Sequence, residues 1–336
     1  MKDFDVTEVL GLLRRTAPFL GFRLLVYLGI TLAYVIATGG GAGIGYALGH
    51  IGGDPGAGGA WGGIAGFALV GALVYWFREY LLYLVKAGHI AVLVELLDGA
   101  DLPGGRGQIE HARSVVQERF AEASVLFGVD QLVRGVIRAF NRVFFSVATL
   151  LPLPGVEGLA RVVNGILRLS LTYVDEVILA YGVRTRSNNP WASSRTALVL
   201  YGQNYRAFLR NAVILALCVW GLTLAVFLVV LAPVAALVAV FPGAAGGLTL
   251  LVALVFAWAI KAAVIEPFAM TALMQAFFRV TEGQTPDPAW ETRLEELSER
   301  FTELGERARS WASGHTVDTP GPATADTSGG ESQPRH

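Results

Sequence analysis

Two stretches of this sequence are almost free of charge, and they restrict the fold more than anything else in it. Residues 24–77 hold one ionised side chain, Asp54, and residues 211–260 hold none. An uncharged apolar run of about 18 or more residues crosses roughly 30 Å of hydrocarbon as a helix. Within lipid the backbone must satisfy its own hydrogen bonds, so only helices and closed barrels span. Barrel strands alternate apolar and polar residues over about ten positions, and these runs do not alternate. The expected fold is all-α: a polytopic integral membrane protein with four transmembrane helices. The composition agrees, with 16% charged residues against about a quarter in soluble domains.

The first span is expected at Leu20–Ala37, with an extension through the glycine-rich 39–48. The second starts near Gly63, stays apolar to Phe77 and continues as helix to Leu97. The third covers Asn211–Val240. The fourth runs from Gly247 to Phe278 and is broken or kinked at Pro267, which has no N–H to give. Loops are expected at 49–62 and 241–246. Around these spans the chain divides further. Residues 1–19 read as an interfacial helix with Val6, Val9, Leu10 and Leu13 on one face and Asp5 or Thr7 as N-cap. Residues 20–97 form the first transmembrane hairpin. Residues 98–124 form a cytoplasmic turn and a helix at 108–122. Residues 125–182 form an amphipathic helical hairpin turning at Pro152–Gly155. Residues 183–209 are a cytoplasmic segment, and 210–283 the second transmembrane hairpin. Residues 284–312 form a cytoplasmic amphipathic helix with the stripe Leu294, Leu297, Phe301, Leu304. Residues 313–336, rich in Thr, Pro, Gly and Ser, read as disordered.

Basic residues sit before span one, after span two, before span three and after span four, while 49–62 and 241–246 contain no Lys or Arg. The positive-inside rule then puts both termini in the cytoplasm and the chain in a cell membrane, the inner membrane of a bacterium. The N-terminus lacks the basic, apolar, small-residue plan of a cleaved signal, so the first span is expected to act as its own insertion signal. Gly63–Gly99 and Gly247–Gly283 are equal in length, and Arg119-Phe120-Ala121-Glu122 resembles Arg300-Phe301-Thr302-Glu303. That pattern fits a parallel internal repeat, or two independent hairpins shaped alike by the membrane.

The 125–182 hairpin carries the most chemistry. Asp130, Arg134, Arg138 and Arg142 recur every four residues and form one stripe, with Leu126, Val133, Ile137, Phe140, Phe144 and Val147 on the other faces. Its second arm carries Arg161, Asn164, Arg168, Thr172 and Asp175 in the same way. An antiparallel turn near Pro154 brings Arg134 level with Asp175 and Glu176. An arginine facing lipid at midplane costs about 2.5–3.5 kcal/mol, so the stripe does not face deep hydrocarbon. Two placements satisfy that: the arginines in the headgroup layer, or lining a wet cavity that favours an anionic solute or headgroup. Depending on which holds, there are four spans or six. In the fourth span, Lys261 and Glu266 are candidates by virtue of charge at membrane depth. Glu266 precedes the proline and its freed carbonyls. The bland alternative has Lys261 snorkelling and Glu266 paired with Arg78 or Lys86.

Other chemistries are excluded by pattern. A net charge of −1 argues against a nucleic-acid partner. The five histidines are scattered without metal spacing. There is no P-loop, dinucleotide fingerprint or nucleophile elbow. Cys218 stands alone in a span as a packing residue. No cofactor and no enzymatic activity are expected. Gly39 and Gly43, and Gly41, Gly45 and Gly49, are spaced for close helix contact, including contact with a second copy of the chain.

Ser193-Ser194-Arg195-Thr196-Ala197-Leu198 through Arg210-Asn211, which leads into the third span by a basic–Asn pair, resembles the choline transporter-like family. Tyr173-Val174-Asp175-Glu176-Val177-Ile178 through Tyr181-Gly182 and Ile265-Glu266-Pro267-Phe268-Ala269-Met270-Thr271 are similar to segments of that family. The resemblance covers residues 125–283. The family's Asn-Arg-Asn-Ala-Tyr core is not present, and the chain is shorter than family members. The resemblance implies a plasma-membrane transporter with an organic amine as substrate. The residue pattern itself leads to a transporter or channel for a small solute or lipid, with Arg134, Arg138, Arg142, Arg161, Arg168, Asp175, Glu176, Lys261 and Glu266 as candidate solute or headgroup contacts. The alternative is a non-catalytic scaffold whose hairpin and cytoplasmic helices bind headgroups or a protein partner.

Overall fold

In the computed structural model, the described residues are 3–102, 106–119, 123–146, 173–240, 254 and 256–315. They are mostly helical, with no strand among them. The helices are α1 (Val6–Arg15), α2 (Ala17–Gly52), α3 (Pro55–Leu97), α4 (Arg106–Arg119), α5 (Ala123–Ser146), α6 (Val174–Arg184), α7 (Pro190–Gln203), α8 (Tyr205–Val240), α9 (Phe256–Val280), α10 (Pro288–Leu297) and α11 (Glu299–His315). Four are long and apolar enough to cross a membrane: α2, the first half of α3, α8 and α9. The chain is an all-α polytopic membrane protein. The turn of the central hairpin, its second arm with Arg161 and Arg168, the 241–246 loop, Phe120 of the repeat string and the tail beyond His315 lie outside the described residues.

The fold has two parts. Apolar stalks, formed by α2 with the first half of α3 and by the upper half of α8, expose large side chains such as Leu25, Ile36, Ile44 and Leu228. A broad base buries the core, built from α1, the end of α3, α5, α6, α7, the start of α8, the end of α9, α10 and α11. Within it the second half of α9 is enclosed on all sides, from Pro267 to Phe278.

The expected 49–62 loop is a tight turn instead: α2 runs to Gly52 and α3 starts at Pro55, with Gly53 in the left-handed region (φ 89°) and Asp54 capping α3 through the Ala57 amide. The glycines around it are helical because they form a seam. Gly41, Gly45 and Gly49 of α2 lie against Gly62, Gly58 and the Asp54–Pro55 backbone of α3, so close that a Cβ on any of them would collide with main chain. Of the two glycine faces expected to permit helix contact, this one is occupied within the chain. Gly39 and Gly43 have nothing within 4 Å.

Three other expectations change. Helix α1, capped by Asp5, is part of the core rather than a lone surface helix. It buries Val9, Leu12 and Leu13 and leaves Leu10 exposed, because it packs on α9 and is tied there by the Glu8–Arg279 pair at 2.7 Å and the Asp5 amide to Gln275 Oε1 at 2.6 Å. The 183–209 segment contains a buried helix, α7. Its apolar run Ala197–Tyr201 is too short to register as a span, and it is covered by the base. The tail helix is two helices, broken at Ser298, which is extended (φ −153°, ψ 109°). The break lets Leu294, Phe301 and Leu304 all reach the base, where α10 and α11 dock on α5 and α7.

Candidate functional site

Where the stalks leave the base, five helices bring charged side chains together. The level follows from the antiparallel partners: Phe19 stacks on His89 and Tyr34 meets Phe67 across α2 and α3, and Phe208 stacks on Phe277 across α8 and α9. Arg23 of α2 therefore lies near residue 83 of α3, and Glu266 of α9 lies near Val219 of α8. Above that plane Leu24–Tyr46 is about 34 Å of helix and Trp220–Val240 about 31 Å, at roughly 1.5 Å per residue. Both match a hydrocarbon core of about 30 Å. Tyr46 and Trp61, 53% and 71% exposed, mark the far side as interfacial aromatics do. The charges thus form a collar at the base-side end of the apolar stretches.

One group in the collar is built on Glu266. At Lys261–Ile265 the α9 helix widens into a π-turn, and the Glu266 amide reaches back to the Lys261 carbonyl. The next amide in that register would serve Ala262, but residue 267 is proline and has no N–H. The carbonyl is met from another helix: Arg23 Nη2 donates to Ala262 O at 2.9 Å. The same guanidinium lies 3.8 Å from Glu266 Oε2, and Lys261 Nζ lies 3.4 Å from Glu266 Oε1. Arg23 is 2% exposed, and its Nε and Nη1 have no acceptor.

The second group surrounds the start of α6. Lys86 Nζ of α3 donates to Glu176 Oε1 at 2.7 Å. Arg134 of α5 bridges Asp175 Oδ2 (2.9 Å, from Nε) and Asp130 Oδ2 (3.1 Å, from Nη2). Asp130, Asp175 and Glu176 are buried. Acidic residues in the first turn of α6 also suit the positive end of its dipole. Burial, reinforced by neighbouring Asp175, pushes the Glu176 carboxyl up to about 8. Burial pushes Asp130 up to about 6 against the pull of Arg134. Tyr173, 2% exposed and without a hydrogen-bond partner for its hydroxyl, lies at the N-terminus of α6 beside this group.

The structure thus joins five of the expected site residues: Arg134, Asp175, Glu176, Lys261 and Glu266. Of the two partners that the hairpin register offers Arg134, Asp175 and Glu176, the structure pairs it with Asp175. Arg138 and Arg142 are exposed and outside the collar, with Arg138 Nε bonded to the Arg134 carbonyl. Lys86 serves Glu176, not Glu266. Arg23, Lys86, Asp130 and Tyr173 are the members that the candidate set lacked. Arg23 read as a flanking charge, although it sits one and a half turns inside an apolar helix, and that depth was the available signal. Among the described residues no group of His, Cys, Asp and Glu is arranged to hold a metal. An open cavity of about 610 Å³ lies lower in the base, between Gln203–Ala207 and Trp290 and Arg293, and does not include the collar residues. No family model matches this chain, and neither a curated protein nor a solved structure matches it.

Proposed function

We propose that this chain is a multi-pass membrane transporter or channel for a small solute or lipid, with the charged collar controlling passage at the base side. The observation that carries the reading is the unmet polar capacity of the collar. Arg23, Tyr173, Asp175 and Glu176 each keep a buried polar atom without a partner. Burying ions costs several kcal/mol each unless their hydrogen bonds are met, so a plain anchor gains nothing from such a layer. Buried unpaired polar atoms are where water, ions or solutes sit, and ionisable groups at membrane depth mark their paths. The arginine distribution supports a cytoplasmic base and residence in a bacterial inner membrane. The collar carboxylates already face the chain's own cations, so the proposal names no amine as substrate.

The scaffold alternative needs an apolar face for a partner. Of the stripe Leu294, Leu297, Phe301 and Leu304, Leu297 is half-buried and the other three are buried against the chain's own base, which favours transport. The test is solvent access in lipid vesicles, with Cys218 replaced by serine and single cysteines at Thr31, Arg23 and Glu266. Labelling of Thr31→Cys by a membrane-impermeant maleimide from the far face, together with labelling of Glu266→Cys from the base face, is expected. If all three cysteines stay unlabelled from the far face in every condition, the transport reading is lost.

A further inference from the structure

We propose that the open cavity in the base binds an organic phosphate, its phosphate group held by Arg206 and Arg293 and its organic part laid against Tyr205 and Trp290. Such a site is separate from the collar and does not depend on what the protein transports.

The cavity exists because α7 and α8 do not run on as one helix. Asn204 between them is non-helical (φ −107°, ψ 15°), and just past this elbow Tyr205 meets Trp290 of α10, with ring centroids 5.9 Å apart. Phe140 of α5 packs on both rings, at 6.2 Å and 6.4 Å. The walls are tied together. Gln203 Oε1 accepts the Asp287 amide at 3.0 Å, and Asn204 Nδ2 donates to Gln284 Oε1 at 2.7 Å. The elbow amides are thus engaged within the chain. The volume of about 610 Å³ falls in the range of sites that hold an organic ligand and is far more than a bare phosphate ion fills.

What faces this space is cationic and aromatic. Its described lining residues include two arginines and no carboxylate. Each guanidinium is set against a ring of its own wall. Arg206 lies 5.8 Å over Tyr205 and donates from Nε to the Tyr205 hydroxyl at 3.2 Å, while Arg293 lies 5.2 Å over Trp290. A guanidinium held in this way has lost part of its freedom before a ligand arrives, which lowers the cost of binding. Arg210, one turn further along α8, is neutralised by Asp3 at 2.6 Å. Arg206 has no such partner among the described residues, and of its five N–H donors only Nε is engaged there. Two guanidiniums on separate helices suit a phosphate monoester, whose three free oxygens can accept from two forks. A carboxylate has two oxygens, and one fork saturates them. This chemistry is common to soluble phosphate esters and to the headgroup of an anionic phospholipid.

Two arms on the full chain in nanodiscs test the site and separate those sources. In phosphatidylcholine discs, calorimetric titration with adenosine monophosphate reads a soluble ester. Limited proteolysis between α9 and α10, in discs with and without phosphatidic acid, reads a headgroup, because a bound phosphate ties α10 to α8. A response in at least one arm is expected: heat with the nucleotide makes the ligand soluble, and protection by phosphatidic acid makes it a lipid. Arg206→Met should weaken that response about tenfold or more, as loss of a charge-assisted hydrogen bond does. Arg206→Lys should weaken it as well, since an ammonium lacks the fork. Arg210→Met, outside the cavity, should leave it unchanged. Silence in both arms overturns the proposal. So does a response that survives Arg206→Met combined with Arg293→Met, or one that falls equally in Arg210→Met. Both cavity arginines are exposed, so their variants probe the site and not the fold. Neither arm measures flux, so a missing ligand and a missing transport activity are separate results.

Discussion

Arg23 and Ala262, far apart in sequence, are joined by a hydrogen bond of 2.9 Å from guanidinium to main-chain carbonyl. The bond repairs a defect that Pro267 makes in its own helix. This predicts coupling between Arg23 and Pro267, whose effects meet at the Ala262 carbonyl. Arg23→Met should cost about 2–4 kcal/mol, because it leaves a buried carbonyl unmet and weakens the hold on Glu266. In a Pro267→Ala background, which restores the amide, the same change should cost at least about 1 kcal/mol less. Unfolding in mixed micelles followed by circular dichroism measures the cycle, and strict additivity would contradict this account of the π-turn.

The glycine seam makes opposite predictions for residues of one type. At Gly62, a methyl group meets the backbone of Gly41 and Gly45, so Gly62→Ala should destabilise by about 1–3 kcal/mol through forced separation of α2 and α3. At Gly43 a methyl group meets nothing within 4 Å, and Gly43→Ala should stabilise the helix by about 0.5–1 kcal/mol. The same micelle unfolding assay reads both.

The docked tail is held by named contacts. Arg195 pairs with Glu291 and Glu295 and lies over the Phe301 ring. Trp311 Nε1 donates to the Asn188 carbonyl. Phe301 is fully buried, so Phe301→Ala should cost about 3–5 kcal/mol of docking. Arg307→Ala, which removes an exposed ion pair to Glu303, should cost under about 1 kcal/mol. Limited proteolysis between α9 and α10 should be much faster in the first variant and nearly unchanged in the second.

Stability should depend on pH in two opposing ways. His89 is fully buried against Phe19, and its burial holds it well below the ordinary histidine range. The native state therefore binds fewer protons there than the unfolded chain, and stability is lost as pH falls below 6.5. Glu176 is raised by burial, so the native state binds more protons there, and stability is lost as pH rises from 4.5 to about 8. His89→Phe should remove the acid-side loss and leave the alkaline one, as read from unfolding midpoints across that range.

That Arg134 would meet an acid at the start of α6 followed from helical spacing, which put it level with Asp175 and Glu176; the choice of Asp175 did not. The four apolar helices were visible for the same kind of reason, a run of uncharged residues along one helix. The tight turn at Gly53–Asp54 and the buried α7 are not legible in the sequence, because composition does not say whether a glycine-rich or arginine-flanked segment has a neighbour to cover it. Likewise Leu294 and Phe301 showed that a face must be buried but not against what.

By itself the sequence determined that this is a helical membrane protein with four apolar spans, because hydrocarbon penalises charge residue by residue and that penalty is read along the chain. Tertiary structure alone decided which charges meet. Lys86 chose Glu176 over Glu266, and Arg23 went to the π-turn of a helix at the other end of the chain, because ion pairs and unmet carbonyls are satisfied by whatever packing brings within about 3 Å.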